Sequence, residues 1–475
     1  MSGAASDARI VGERQRRPAL ACRRMGTQNR RRSFLALRHP AQYVVLAFLA
    51  ASLGGAGLLM IPAASAAPGG TSALTALFTA SSAVCVTGLV VVDTGAHWSA
   101  FGEWIILALI QLGGFGIMTL SSLIVLVVSR RLGLRQRLIA AAETGSMNLG
   151  EIRRVVLGVA LLSFVVEVVV AVALCVRFWI THDEPLGRAA YLGVFHAVSA
   201  FNNAGFSVFS DNMVVLNRDP VVLLLLSATV VVGGLGYLVL VQVARHPRSP
   251  GRWNLHAKIT VATTAFLIAA GWVLLTWFEW TNPRTLGALS GPDSILNALF
   301  HSVMPRTAGF NSVDVAGMRE PSRMLTEILM FIGGGSASTA GGIKVTTFAL
   351  LGWVLWAELR GNPDVVAFER RIPAPAQRQA VTVALTAVGT VVVATMMLLA
   401  TSRLAREDLQ FEAISALGTV GLSTGVTPLL SSSSQLIVIA LMILGRVGPP
   451  TLFAALVLQD RDRQYRHAEE RPIIG

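Results

Sequence analysis

The chain has 475 residues, of which 53% are hydrophobic and 14% are charged. Soluble globular proteins carry about a quarter charged residues, so this composition excludes an ordinary soluble enzyme. Apolar runs of about 20 residues recur from Tyr43 to Leu458, and each is long enough to cross the ~30 Å hydrocarbon core of a bilayer. The sequence therefore predicts an all-α polytopic membrane protein.

The net charge of +13 is explained by where the basic residues lie. Five segments hold 28 of the 39 lysines and arginines, namely 1–42, 129–154, 245–258, 358–378 and 459–475. They alternate with apolar intervals, and the positive-inside rule then predicts that these segments and both termini are cytoplasmic. A basic surface facing anionic lipid accounts for the charge without nucleic acid. The apolar run from Tyr43 is too long for a secretory signal peptide, so we expect an uncleaved first crossing.

Each interval between basic segments contains two long apolar segments with a short one between them. In chain order they are 43–62, 74–84 and 102–128, then 155–180, 190–200 and 219–244, then 259–280, 294–303 and 323–356, then 379–402, 409–418 and 435–458. A segment of about ten residues cannot span a bilayer and has the length of a re-entrant half-helix. We therefore predict eight full crossings and four re-entrant half-helices.

Two features show that this unit is repeated. Each half-helix carries a phenylalanine nine or ten residues before a glycine, and these glycines are Gly88, Gly205, Gly309 and Gly421. A glycine stretch follows each of them, at 113–116, 233–236, 333–335 and 445–448. Self-similarity at a fixed period identifies a repeat architecture. The predicted parts are a basic cytoplasmic arm (1–42), repeat 1 (43–128), repeat 2 (129–244), repeat 3 (245–357), repeat 4 (358–458) and a cytoplasmic tail (459–475).

Four helix–pore-loop–helix repeats in one chain can close around a pseudo-fourfold pore. Non-helical backbone at membrane depth is tolerated only where it is buried in protein or lines a water-filled cavity. We therefore expect the four glycine-terminated loops to meet on the axis, where carbonyl oxygens can replace the hydration shell of a cation. The negative ends of the half-helices favour a cation there. Thr419-Val420-Gly421 also reproduces the start of a potassium-channel filter sequence.

The sixth crossing is interrupted by ten small residues at 333–342. One interpretation is a helix that packs closely through small residues. A phosphate-binding Walker A loop is a poor one, because Ile343 separates the last glycine from Lys344 and that motif needs Gly-Lys-[Ser/Thr]. A third interpretation, which we prefer, is an unwound loop in the pore below the four glycine loops.

The motifs together resemble those of the Trk/Ktr/HKT superfamily of potassium transporters, from Tyr43 to Leu458. The resemblance rests on Thr87-Gly88-Leu89 followed by Val92-Asp93-Thr94, Phe201–Phe206, Arg306–Phe310, Gly333–Lys344 and Gly445–Gly448. The number of predicted crossings is typical of the KtrB-type (TrkH-like) membrane subunit. The resemblance implies potassium uptake by passive flux through a selective pore in the inner (plasma) membrane of a bacterium.

The resemblance also implies which residues act. The ion-binding selectivity filter would comprise Cys85, Val86, Thr87, Gly88, Asn203, Ala204, Gly205, Thr307, Ala308, Gly309, Thr419, Val420 and Gly421. The gate would comprise Gly334, Gly335, Ser336, Ser338, Thr339, Gly341, Gly342, Lys344 and Arg446. Glycine at the first filter position favours potassium over sodium in this family, whereas Cys85 departs from the usual small hydroxyl residue. The family further implies a homodimer, no cofactor in this chain, and a cytoplasmic regulatory ring that binds nucleotide.

Several polar residues within apolar segments have two interpretations. Arg446 either forms an internal ion pair or lies in the pore beside the interrupted segment, and Lys344 is either structural or part of the gate. Glu167 is interpreted as a partnered structural carboxylate rather than an ion site. His196 and His301 share one position in their half-helices, but the other two repeats lack histidine there, so we do not favour a metal site.

Two other classes of function fit the sequence less well. A secondary transporter, such as a sodium/potassium symporter with alternating access, predicts paired discontinuous crossings in two halves, whereas this sequence predicts one broken crossing and four short segments. A multipass membrane enzyme needs a polar catalytic cluster, and the sequence contains no HExxH, Ser/His/Asp or acidic metal motif. We therefore expect a transporter and not an enzyme.

Overall fold

The structure is a computed structural model that describes residues 40–66, 69–132 and 149–448. The predicted tail 459–475, nearly all of the predicted arm 1–42 and much of the basic segment 129–154 lie outside these residues. The described chain is mostly helical. Its helices in chain order are α1 (Pro40–Leu59), α2 (Ala73–Val84), α3 (Thr94–His97), α4 (Ala100–Leu132), α5 (Leu149–Thr181), α6 (Leu186–Phe201), α7 (Pro220–Leu235), α8 (Tyr237–Arg245), α9 (Leu255–Glu279), α10 (Gly291–Val303), α11 (Glu320–Phe331), α12 (Val345–Leu359), α13 (Ala374–Thr401), α14 (Arg406–Gly418) and α15 (Ser432–Val447).

Among the described residues, four helices are both long enough and apolar enough to cross a membrane. They lie at Ala100–Thr119, Arg153–Thr181, Leu255–Glu279 and Ala374–Thr401. Together α7 and α8 have the required length and hydropathy as well, but the pair is bent by 101°. The last crossing was predicted to extend to residue 458, and its end lies outside the described residues. The total of eight crossings therefore stays a prediction.

Short helices occur at all four positions where half-helices were predicted, namely α2, α6, α10 and α14. The phenylalanine that recurs in them is fully buried in every repeat, at Phe78, Phe195, Phe300 and Phe411. Burying such a large side chain contributes roughly 1.5–3 kcal/mol relative to leaving it exposed. The recurring phenylalanine thus anchors each half-helix inside the protein.

In repeats 1, 2 and 4 the recurring glycine stretch is explained by close packing of the following helix on the short helix. A Cβ atom added at Gly113 would lie 2.0 Å from the carbonyl oxygen of Val84. The equivalent contacts are 2.0 Å between Gly233 and the carbonyl oxygen of Phe201 and 2.0 Å between Gly445 and that of Leu417. Each carbonyl belongs to the residue four positions before the recurring glycine of its half-helix loop, namely Gly88, Gly205 or Gly421. Only glycine lets the two backbones approach this closely.

The prediction of a single broken crossing is wrong, because the structure contains a second break. The crossing of repeat 3 is interrupted between α11 and α12, as predicted, and that of repeat 2 is also interrupted between α7 and α8. Gly236 lies at this second break with φ +87° and ψ 151°, a conformation that is essentially confined to glycine.

Strand structure in the described chain is limited to one hairpin within the basic segment 358–378. Its strands β1 (Val366–Ala367) and β2 (Arg370–Arg371) are antiparallel and pair Val366 with Arg371 and Ala367 with Arg370. The two turn residues, Phe368 and Glu369, both have positive φ angles of 47° and 62°, as a two-residue type I′ hairpin requires.

Candidate functional site

The four loops that follow the half-helices share an unusual backbone conformation. Each of the recurring glycines Gly88, Gly205, Gly309 and Gly421 has a positive φ, and so does the non-glycine residue two positions before it. Those residues are Val86 (φ 54°), Asn203 (φ 59°), Thr307 (φ 72°) and Thr419 (φ 49°). Left-handed conformations in non-glycine residues are uncommon and carry strain, which the surrounding packing must hold in place. Their recurrence in all four repeats indicates one loop structure used four times.

The amide groups of these loops are turned back onto their own half-helices. The backbone N–H of Thr87 donates to the carbonyl of Ser82 at 2.8 Å, that of Ala204 to Ser199 at 2.8 Å, and that of Val420 to Ser415 at 2.9 Å. In repeat 3 the N–H of Gly309 donates to the carbonyl of Met304 at 3.2 Å. Because these N–H groups are already hydrogen-bonded, the carbonyl oxygens of the loops remain available to contact other groups.

The four loops contact one another in a closed cycle. A Cβ atom built on Gly88 would lie 2.3 Å from the carbonyl oxygen of Ala204, and one built on Gly205 would lie 2.6 Å from that of Ala308. The cycle continues from Gly309 to Val420 at 2.3 Å and closes from Gly421 to Thr87 at 2.1 Å. The glycine of each repeat therefore lies against a carbonyl oxygen of the next repeat, in the order 1, 2, 3, 4. We call this arrangement the glycine ring.

Cys85 has a different place from the other predicted filter residues. It closes the half-helix α2, and its N–H donates to the carbonyl of Ser81 at 2.8 Å. A cavity of about 240 Å³ lies against the glycine ring, and its lining includes Gly88, Gly205, Asp93 and Pro428. We call this cavity the vestibule.

The interrupted segment of repeat 3 lies directly against the glycine ring, and we call residues 333–342 the inner loop. A Cβ atom on Gly341 would lie 2.0 Å from the hydroxyl of Thr419. The hydroxyl of Thr339 lies 3.3 Å from the side-chain oxygen of Asn203. The inner loop thus contacts residues of two ring loops.

Internal hydrogen bonds fold the inner loop back on itself. The N–H of Gly333 donates to the carbonyl of Ile343 at 2.8 Å, and the hydroxyl of Ser338 donates to the carbonyl of Gly335 at 2.6 Å. At its end the ammonium group of Lys344 donates to the carbonyl of Ala340 at 2.5 Å. Lys344 therefore contributes to the shape of the loop.

Of the two interpretations of Arg446, the structure supports contact with the inner loop. Its side chain is buried, with Nη1 donating to the carbonyl of Thr339 at 2.5 Å and Nη2 to the carbonyl of Gly113 at 3.5 Å. Within the described ranges no carboxylate pairs with this guanidinium. Arg446 therefore joins the inner loop to α4.

Glu167 has neutral partners, as a structural carboxylate would. The side-chain amides of Gln111 and Asn202 both donate to it at 3.3 Å, and the Asn202 amide also donates to the Gln111 carbonyl oxygen at 2.8 Å. Across the described residues, no group of three or more His, Cys, Asp or Glu side chains could hold a metal ion.

Sequence reasoning missed three residues of this region. The guanidinium of Arg306 is buried and donates to the carbonyl and the hydroxyl of Thr264, at 3.1 and 3.2 Å. Gly236 lies against the inner loop, since a Cβ there would be 2.6 Å from the carbonyl oxygen of Ala337. Glu412 is fully buried in α14. A charged residue in an apolar segment was the available signal for Arg306 and Glu412, and it was overlooked.

Comparison with known proteins agrees with the motif resemblance. The sequence matches the TrkH family, described as cation transport proteins, over residues 21–465. It is 39% identical to the Ktr system potassium uptake protein B of Bacillus subtilis (strain 168), over 87% of this chain and 92% of that protein. It is 37% identical to the protein of the same name from Vibrio alginolyticus, over 91% of this chain and 94% of that one.

A solved structure supports the fold. The crystal structure of the potassium transporter TrkH from Vibrio parahaemolyticus is similar with a TM-score of 0.70 and 19% sequence identity, covering 91% of this chain and 87% of that chain. Sequence match and fold together confirm the resemblance that the motifs predicted. The chain is a polytopic membrane protein that belongs to the TrkH family of cation transport proteins.

Proposed function

We propose that the chain is the ion-translocating subunit of a potassium uptake system, with the pore passing through the glycine ring. The observation that carries this proposal is the closed cycle of four carbonyl oxygens, from Thr87, Ala204, Ala308 and Val420, each against the glycine of the neighbouring loop. Carbonyl rings replace the hydration shell of a permeating cation. The names of the two Ktr relatives, both potassium uptake proteins, indicate which cation.

In this mechanism the repeats act as four half-helix and loop units around one pore, within eight crossings. The vestibule collects the hydrated ion, which loses its water as it enters the glycine ring. The negative ends of α2, α6, α10 and α14 stabilise it there. A negative membrane potential then drives uptake by about 2.3 kcal/mol per 100 mV for each charge that crosses. The protein is a transporter and catalyses no chemical step.

We propose that the inner loop is the gate. It lies against the ring threonine Thr419 and is held by Arg446, whose charge would also raise a barrier to cations. Deleting part of residues 334–341 should raise potassium flux, because the obstruction is shortened while the glycine ring is left intact. Flux that is abolished in a correctly folded deletion variant would contradict this role.

Regulation is proposed to come from the cytoplasm of the bacterial cell. The printed names of the Ktr relatives refer to a system, which fits a complex of this subunit with a nucleotide-binding ring. A homodimer of this chain, with both termini cytoplasmic, would present the basic segments 245–258 and 358–378 to that ring. Nucleotide would bind the ring and not this chain.

The test of function is rescue of a bacterial strain that lacks its own potassium uptake. The wild-type chain should restore growth at low external potassium, whereas empty vector should not. Co-expression of a nucleotide-binding ring subunit should increase the rescue. No rescue in either arrangement, despite confirmed membrane insertion, would refute the proposal.

A sodium/potassium symporter with alternating access is a second candidate, because the described residues contain two broken crossings rather than the one that the sequence predicted. The crossing of repeat 2 is broken at Gly236 and that of repeat 3 at residues 333–342, so each half of the chain contains one. Paired discontinuous crossings in two halves are typical of secondary transporters. Flux measured in liposomes separates the two: potassium flux that requires sodium would favour the symporter.

A further inference from the structure

One position behind the glycine ring holds three different residue types in the four repeats. It is the residue that follows the recurring phenylalanine of each half-helix, namely Thr79, His196, His301 and Glu412. All four side chains are buried, with exposed fractions of 0 to 2%. Buried polar groups are costly unless they are hydrogen-bonded, so the partner of each residue indicates what the position does.

In repeat 4, Glu412 is hydrogen-bonded to the chain segment that follows Gly421. The two carboxylate oxygens of Glu412 accept hydrogen bonds from the hydroxyls of Ser423, at 2.9 Å, and Thr427, at 2.5 Å. Ser423 lies two residues after Gly421, and its hydroxyl also accepts the N–H of Gly425 at 3.1 Å. In the described residues no basic side chain pairs with Glu412, so its contacts are these hydroxyls.

In repeat 2 an imidazole makes the equivalent contact. His196 Nδ1 lies 2.8 Å from the carbonyl oxygen of Leu192 and therefore carries the proton, so Nε2 is an acceptor in the neutral ring. Ser207, two residues after Gly205, donates its hydroxyl to Nε2 at 3.1 Å and accepts the N–H of Phe209 at 3.0 Å. The His196 ring also stacks on Phe209, with centroids 5.1 Å apart.

Repeats 1 and 3 lack this contact. The hydroxyl of Thr79 is buried without a partner among the described residues, and Val90, two residues after Gly88, has no polar side chain. His301 contacts Thr326 in α11 at 3.3 Å rather than the loop after its own glycine. Because the ring closes in the order 1, 2, 3, 4, the two contacts lie on opposite sides of it.

We infer that His196 and Glu412 are positioning residues that fix the outer ends of two opposite filter loops and thereby set the preference of the pore for potassium over sodium. The inference deepens the proposed function and rests on it. Each residue links a rigid half-helix to a serine just beyond the filter glycine, which in turn holds the next turn of backbone. Without this link the loop could move inwards, and a smaller cage would accommodate the smaller sodium ion.

The test compares substitutions at this one position in repeats 4 and 1. Purified protein in liposomes is assayed for the potassium-to-sodium permeability ratio in the wild type, Glu412→Ala, Glu412→Gln and Thr79→Ala. We expect Glu412→Ala to lower the ratio on the order of tenfold, the scale of losing two buried hydrogen bonds. Glu412→Gln should retain most of the selectivity, since an amide can bond both hydroxyls. Thr79→Ala should leave the ratio unchanged.

Ser423→Ala and Ser207→Ala provide a second route if Glu412→Ala does not fold. Each removes one hydroxyl from one contact, and each should lower the permeability ratio while total flux persists. A ratio that is unchanged in a folded Glu412→Ala or Ser423→Ala variant would overturn the inference alone. An equal fall in Thr79→Ala would also overturn it, because repeat 1 has no such contact. A wild-type protein that conducts no potassium would instead refute the proposed function, and this inference with it.

Discussion

At the scale of single residues, glycine is required for two different reasons, a positive φ angle and a close contact with another backbone. Gly88 and Gly70 have similar φ angles of +91° and +76°. A Cβ on Gly88 would meet the carbonyl oxygen of Ala204 at 2.3 Å, whereas one on Gly70 has no atom within 4 Å. Both positions strain a larger residue, but only Gly88 touches the carbonyl that we assign to the pore.

The first prediction compares serine at these two positions. Gly88→Ser should lower the potassium-to-sodium permeability ratio by on the order of tenfold, equivalent to ~1.4 kcal/mol, because its side chain displaces the Ala204 carbonyl. Gly70→Ser places a side chain at a comparable positive φ but in open space, so it should leave the ratio near the wild-type value. Ion selectivity is measured in liposomes and stability by thermal unfolding in detergent. Equal selectivity in both variants would remove Gly88 from the filter.

A second prediction concerns the residue that precedes α7, outside the apolar helix Pro220–Leu235. Asp219 caps the helix by accepting the N–H groups of Val221 and Val222, at 3.0 and 3.2 Å. It also accepts hydrogen bonds from Arg177 and His182, each at 2.9 Å. Burial alone would raise the pKa of Asp219, but these hydrogen bonds outweigh it and lower the pKa below its usual range.

A lowered pKa in the folded state stabilises the fold above the unfolded pKa of about 3.9, and the stabilisation is lost as pH falls through the folded value. Asp219→Asn keeps the cap but loses the charge, so it should lower the free energy of unfolding by about 1–3 kcal/mol at pH 7. The difference from wild type should shrink below about pH 4. Glu184→Gln is the control, because its ion pair with Arg188 is largely exposed and should contribute under 1 kcal/mol. Melting curves across pH measure both, and a pH-independent difference would contradict the assigned cause.

At the scale of helices, one sequence pattern gives two structures. Repeats 1 and 2 both contain Gly-Gly-X-Gly, ending at Gly116 and Gly236. Gly116 continues the helix α4, with no atom within 4 Å of its Cβ position, whereas Gly236 ends α7 beside the carbonyls of Ser336 and Ala337. The break in repeat 2 therefore coincides with contact to the inner loop.

The third prediction follows from this contact. Gly236→Ala would place a methyl group 2.6 Å from the Ala337 carbonyl oxygen and should push the inner loop from its place, which raises potassium flux. A strain of 1–3 kcal/mol on the closed state would shift a two-state gate by about 5–150-fold. Gly361→Ala is the matched control, with φ +64° and open space around it. Flux in liposomes that is the same for both variants would contradict a role of this break in gating.

At the scale of the whole molecule, the sequence predicted the elements better than the breaks between them. Phenylalanine and glycine at fixed spacing located all four short helices, because burial and close packing depend directly on residue type. The left-handed φ of Val86 or Thr419 could not be predicted, since neither residue favours that conformation and packing against neighbouring repeats imposes it. The contacts of Glu412 were missed for the same reason, since its partners lie beyond the loop.

The last prediction tests the re-entrant path on which the proposed pore depends. If α6 enters and leaves the membrane on one face, residues before and after it are exposed on that face. In a variant with Cys22 and Cys175 replaced by serine, Thr181→Cys and Asp211→Cys, both at exposed positions, should react with a membrane-impermeant thiol reagent in intact cells. Ser249→Cys, within the basic segment 245–258, should react only after lysis, because basic loops remain in the cytoplasm. Labelling of Thr181→Cys and Asp211→Cys from opposite sides would mean that α6 crosses the bilayer, and a fourfold ring of half-helices could not then form.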